Sequence, residues 1–405
     1  MGRKFTIMLL IGALCLLATI PVLAQKVYTT LSEYENLTGK KIEKFHEAPM
    51  LRVKVAAGEL PPVEERLPEE PIVVEPLEKI GQYGGTLRSG ATCLESAYDM
   101  WFTRQYYLFS ISAEKGGKVF PHVAKGWDLS EDMKTLTVYL RKGLKWSDGI
   151  PYTADDIMFW YKDILLNDEL TPSKPRSWSP GGKLVKVEKL DDYTVRFKFA
   201  VPYATIVEML TTAMTRPLIS RPKHYLKKWH INYNPDADEL AKREGFDNWW
   251  QCFKFHAKPK FGQDVNLPTT FPWVLKKVTL TRRVYERNPY YFMVDTEGNQ
   301  LPYIDREIVY LVGSTEVYNM KVIAGDLDYA ALELSLENYP LYKKNEEKGG
   351  YETRLWQGTR AAEYMVAFNL THKDPVLRKI FNAVSYTHLR AHETSLHLVC
   401  RLLLE

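Results

Sequence analysis

Five stretches of this chain bring reactive residue types together at short spacing. Asp155-Asp156 and Asp191-Asp192 are adjacent carboxylates, and a pair of carboxylates is what a secreted glycosidase would need. Asp295-Thr296-Glu297-Gly298-Asn299 has the acidic, glycine-containing character of a calcium loop. His388 and His392 stand four apart beside Glu393, a spacing that invites zinc. Trp146-Ser147-Asp148-Gly149 sets a hydroxyl next to a carboxylate. Local context argues against catalysis in each. Asp155-Asp156 opens a helix and Asp191-Asp192 turns a hairpin, so their charges serve a cap and a turn. Arg306 stands where a calcium loop needs its last Glu, which leaves a β-turn for residues 295–299. The histidines do not follow the H-E-x-x-H order and have no further ligand nearby. Ser147-Asp148-Gly149 reads as a turn beside a buried Trp146, with no base attached.

The elements that would position these residues are legible. Leu136, Val138 and Leu140 alternate with Thr135, Thr137 and Tyr139, the period of a strand with one buried face. Thr153 with Asp156 three residues on resembles a capping box, and Ile157, Trp160, Tyr161, Ile164 and Leu165 recur at helical spacing toward a core. A second hairpin runs through Val185 to Glu188 and Val195 to Phe199. The Pro- and Glu-rich stretch between Gln25 and Ile80, ending in Leu60 to Pro68, is expected to run extended over the surface, because its prolines remove donors and fix φ.

Composition narrows the function classes. A net charge of +4 on 405 residues, with 26% charged, gives no basic field for nucleic acid. Arg3 and Lys4 precede an apolar run from Phe5 to Leu23, and Val22-Leu23-Ala24 before Gln25 fits a signal peptidase site, so 1–24 are expected to be a cleaved signal peptide. Cys15 falls in that leader and Cys400 near the end, leaving Cys93 and Cys252, whose pairing an oxidising compartment would permit.

Several motifs in fixed order carry a resemblance. Pro121, Val123-Ala124, Trp127, Ser130, Leu140-Arg141, Gly143, Trp146 to Gly149, Pro151, Thr153-Ala154, Asp156 and Phe159 match the signature of one family. Tyr83-Gly84-Gly85-Thr86-Leu87 resembles its first strand, Glu286 to Phe292 its Arg-Asn-Pro-x-Tyr-Trp segment, and Asn299 to Asp305 an insert of its larger subgroup. Pro272 to Leu275 match as well, with Phe271 where the family has Gly. The chain resembles the solute-binding proteins of ABC importers that include oligopeptide, dipeptide and nickel binders and some oligosaccharide binders, over roughly Glu47 to Tyr386.

That resemblance implies an α/β, periplasmic-binding-protein-like fold of several lobes with an inserted α+β domain. It implies an N-terminal extension over 25–79, lobe one from 80–109 and 215–356, the inserted domain over 110–214, and the start of lobe three over 357–386, the rest of that lobe being absent. The string after Tyr386 departs from the family's helix and resembles a sequencing-adaptor read-through, so 387–405 are expected to be foreign. It implies a non-enzymatic, monomeric, extracytoplasmic protein without cofactor, metal or nucleic acid. Its partners would be an oligopeptide, or alternatively a cello- or manno-oligosaccharide, and the ABC permease subunits. Cleft residues are expected after the first strand, at Cys93, Tyr98, Trp101 and Tyr106, and on the approach to lobe three, at Trp356, Arg360, Tyr364 and Asn369. The helical spacing of Tyr98, Trp101 and Tyr106 gives a core role as the competing reading. Trp249-Trp250 is a further candidate platform, read as a loop with one ring buried.

Overall fold

The computed structural model describes residues 26–92, 107–112, 117–212, 216–258, 263–331, 333–355 and 373–376. Contacts divide the chain into Met1–Glu352 and Thr353–Glu405. In the second unit Asp374 turns the chain by accepting the Val376 N–H at 2.8 Å. Everything that follows concerns the first.

Its strands are β1 (Val27–Tyr28), β2 (Ile72–Val74), β3 (Thr86–Ala91), β4 (Phe109–Ser112), β5 (Lys118–Pro121), β6 (Ala124–Leu129) and β7 (Thr135–Leu140). They continue as β8 (Lys186–Asp191), β9 (Thr194–Lys198), β10 (Trp273–Val278), β11 (Arg282–Arg287), β12 (Met293–Asp295) and β13 (Arg306–Leu311). One four-stranded sheet is ordered β6-β7-β9-β8 and the other β10-β11-β13-β3.

The first sheet is antiparallel throughout and follows the predicted alternation. Leu136, Val138, Val195 and Phe197 are buried on one face, and the register sets Val138 opposite Val195. Helix Ala154–Phe159 covers it, opened by the predicted capping box: the Thr153 hydroxyl accepts from the Asp155 N–H and Asp156 Oδ2 accepts from the Thr153 N–H. The helix then widens into one π turn, Trp160–Leu165. Trp178 stacks on Phe197 at 5.8 Å, closing a core in which Trp146 is also buried.

The second sheet pairs β10 with β11 and β11 with β13 antiparallel, but β13 with β3 parallel. The strand expected from Tyr83 starts three residues later, because Gly84 and Gly85 take φ of 127° and 78°, a turn that side chains resist. Ala91, Trp273, Leu275, Tyr285 and Val309 form its core.

A third sheet, ordered β1-β2-β12, corrects the expectation for the N-terminal stretch. Residues 60–68 do not run extended on the surface. Val63–Arg66 is a helical turn, and Val63, Arg66 and Leu67 are buried. The reason is the apolar strand that follows: Ile72, Val73 and Val74 are buried, and their backbone needs partners once out of water. β2 finds them antiparallel on β1 and parallel on β12. Arg66 fastens this arrangement. Its guanidinium donates to Pro61 O and Gln300 Oε1, both at 3.0 Å, to Pro289 O, and to the carboxylate of Glu47.

Candidate ligand-binding site

Because β3 and β13 run parallel as neighbours, both leave the sheet at one edge, after Ala91 and Leu311. Ligands of open α/β sheets collect outside the carboxyl ends of parallel strands. The Val312 N–H donates to Ala91 O at 2.9 Å and ties the two exits together. Beside them Thr92 donates its N–H and its hydroxyl to Glu333 Oε1, at 3.2 and 3.1 Å. Helix Thr315–Ala324 begins at the same edge, with the Ser314 hydroxyl accepting the Val317 N–H. Its buried Tyr318 lies so close to β3 that a Cβ on Gly90 would stand 2.7 Å from the ring, which is why glycine occupies that strand position.

One pair braces the edge from the strand side. Arg88 forks onto Asp328 with Nε at 2.9 Å and Nη2 at 2.7 Å, while its own N–H reaches Oδ2 at 2.7 Å. The fork holds the Asp328 carboxyl below its ordinary range. The edge thus offers a carboxylate and a hydroxyl on a fixed frame. These groups can recognise a polar solute by hydrogen bonds; no nucleophile with an adjacent base is assembled from them.

Cys93, Tyr98, Trp101, Tyr106, Trp356, Arg360, Tyr364 and Asn369 all lie outside the described residues. What the structure adds is the frame from which the first group departs, at Thr92; the described chain resumes at Tyr107, whose carbonyl accepts the Val123 N–H ahead of β6. Sequence reasoning passed over Thr92, Glu333, Arg88 and Asp328. Their partners are about 240 positions distant, and no local pattern signals such a pair.

The chemical candidates outside this edge resolve into structural roles. Asp156 is buried and accepts from Trp146 Nε1, Thr153 N–H and Lys223 N–H; burial still raises its pKa above the ordinary carboxylate value. Asp191 accepts the Tyr193 N–H at 2.7 Å, as a turn residue does. Asp295 Oδ1 takes the N–H groups of Glu297 and Asn299, and Oδ2 takes Asn299 Nδ2 and the Tyr303 hydroxyl. Its lone pairs are occupied by the turn, as the sequence predicts for 295–299. Trp249-Trp250 is a correction: both sit in helix Trp249–His256, capped by Asn248, rather than on a loop. Trp249 is buried with its indole N–H on Glu169, and Trp250 is half-buried with Lys254 Nζ 4.5 Å over its ring. Cys252 is a free buried thiol. On the same helix His256 is bracketed by two carboxylates, of Glu244 and Asp264.

The frame is a mixed α/β one whose parallel strands β3 and β13 end at one edge. The comparisons give the family. Residues 118–386 match the model of the bacterial extracellular solute-binding proteins, family 5 (middle), and the chain belongs to that family. Its members are non-enzymatic transport components of ABC importers, found in the periplasm or outside the cell. The periplasmic alpha-galactoside-binding protein of Rhizobium meliloti is 31% identical over 379 residues, covering 87% of this chain and 51% of that protein. Among solved structures, an oligopeptide-binding protein OppA superposes with a TM-score of 0.75 at 41% identity, covering 88% of this chain and 56% of that one. The periplasmic binding protein MelB of Agrobacterium fabrum, in complex with stachyose, gives 0.61 at 28% identity, covering 76% and 46%. The chain spans about half the length of the curated relatives it matches. No helix among the described residues is long and apolar enough to cross a membrane.

Proposed function

We propose that this chain is the substrate-binding component of an ABC importer, capturing oligopeptides outside the cytoplasm and delivering them to the membrane permease. The observation that carries the reading is the edge where β3 and β13 end together, with Thr92 and Glu333 placed beside it. A carboxylate held at such an edge suits the amino group and N–H donors of a peptide. Support comes from the OppA structure, similar over 88% of this chain. In this reading Cys93, Tyr98, Trp101, Tyr106, Trp356, Arg360, Tyr364 and Asn369 contribute to ligand binding, and ligand preference for the closed state drives docking. Export through the leader at 1–24 belongs to the same proposal.

Oligosaccharides are the second reading, favoured by the alpha-galactoside-binding relative and by the stachyose complex of MelB. Isothermal calorimetry with a tripeptide set, a cello- and manno-oligosaccharide set, and stachyose separates the two. Heat with peptides alone supports the first reading, and heat with sugars alone replaces it by the second. A chain extended to the length of its relatives that binds neither refutes both.

A further inference from the structure

Helix Trp249–His256 carries Cys252 and His256 four residues apart on one face, and both are buried. Glu244 lies against both: Oε2 is 2.7 Å from His256 Nε2 and 3.5 Å from Cys252 Sγ. One ligand atom from each of the three falls within 4.8 Å of the others, the one such grouping among the described residues.

The surroundings resemble the outer shell of a metal centre. His256 Nδ1 donates to Asp264 Oδ2 at 2.6 Å, which turns Nε2 toward Glu244 and Cys252. Asp264 is in turn fixed by the Tyr225 hydroxyl and the Asn266 N–H. The other oxygen of Glu244 accepts from Trp229 Nε1 at 2.9 Å, and the Trp229 ring stacks on His256 at 3.7 Å. Carboxylate-oriented histidine and hydrogen-bonded carboxylate are the usual supports of ligand groups at a metal.

We infer that Glu244, Cys252 and His256 form a site for one borderline-to-soft divalent cation of the zinc class, with Asp264 and Trp229 as positioning residues and water in the fourth position on the exposed side of Glu244. Mixed sulfur, nitrogen and oxygen ligands select such an ion over magnesium or calcium. The two separations that involve Glu244 fit with little movement, and the Cys252 Sγ to His256 Nε2 pair lies within 4.8 Å. Tetrahedral bonds of about 2.0 Å to nitrogen and oxygen and about 2.3 Å to sulfur set oxygen and sulfur about 3.5 Å apart and oxygen and nitrogen about 3.3 Å apart. The first separation is already present, and the second asks the partly exposed Glu244 to back off by roughly half an ångström.

A metal takes the thiolate and the neutral imidazole, so any proton carried by Cys252 Sγ or His256 Nε2 leaves to solvent when the ion binds.

The probe is Co2+, added to the reduced full chain. A thiolate-to-cobalt absorption band saturating at about one equivalent is expected. Cys252→Ser, checked for unchanged circular dichroism, is expected to abolish the band. A band that survives this substitution places the ion elsewhere, for instance on Cys400 and the tail histidines, and overturns the assignment, as does the absence of any saturable band. Should that variant not fold, Asp264→Asn, which keeps every ligand, is expected to weaken Co2+ binding about 10- to 100-fold; unchanged affinity in a folded Asp264→Asn protein overturns the site equally.

Discussion

Two histidines in the same compact unit are buried in opposite ways. His122 lies where β5 meets β6, against Phe292 and beside the cationic Arg141, and its Nδ1 is 3.2 Å from Tyr107 O. Burial, with the charge of Arg141, drives its pKa down to about 4, so it is neutral in the folded protein. His256 lies between two carboxylates on a stacked indole, and against the burial that opposes it their hydrogen bonds raise its pKa above the ordinary imidazole value. Burial acts on both, and the sign of the outcome is decided by whether the nearest charges are cationic or anionic. The region around β6–β9 is held by apolar packing, whereas the helix at 249–256 is held in part by a compensated charge network.

Tests of that contrast run from large effects to small. Phe197→Ala, in the apolar region, empties a fully buried ring site under Trp178 and is expected to lower unfolding free energy by about 3–5 kcal/mol in urea melts. A loss under about 1 kcal/mol would show that packing does not dominate there. His122 predicts an acid limb. Its folded pKa lies below the unfolded value, so its contribution is complete above about pH 6.5 and declines toward pH 4, reaching about 3 kcal/mol. His122→Phe should flatten that limb.

Asp264→Asn, in the charged region, leaves His256 with one carboxylate and is expected to cost about 2 kcal/mol at pH 6, an effect that vanishes if His256 is neutral there. His256 itself runs opposite to His122. Its folded pKa is raised, so its stabilisation is full below the unfolded value and fades as pH climbs through the folded one. Proton NMR of the two imidazoles should show midpoints on either side of the ordinary value; two midpoints on the same side would break the comparison. The smallest effect belongs to the surface. Lys189 bridges Asp155 and Asp192 with all three groups solvated, and Lys189→Ala should change stability by about 0.5 kcal/mol or less, decreasing with salt.

The apolar region was the legible one. Alternation in Thr135 to Leu140, the Thr153/Asp156 cap and the Asp191 turn all follow from local rules, because each is decided by residues within a few positions. The N-terminal sheet was misjudged because prolines dominated the reading of Leu60 to Pro68, while the decisive fact was a distant partner at Met293–Asp295. In the charged region only the Cys252/His256 spacing leaves a local trace. Glu244, Asp264 and Trp229 reach His256 through tertiary folding, as Glu333 reaches Thr92. The expected cleft residues lie outside the described residues, so the edge where β3 and β13 end is the part of the proposed binding site on which the structure bears.

The pairing of β2 with β12 also orders events in time. During synthesis Val73 emerges long before Val294, the residue that completes its ladder, and Arg66 likewise waits for Gln300. Contacts so distant along the chain are slow to form, because the loop between them must close first. Until residue 300 is available β2 has only the two-residue β1 to pair with. The sheet that looks like a terminal ornament therefore acts as a timer on the folding of the N-terminal segment.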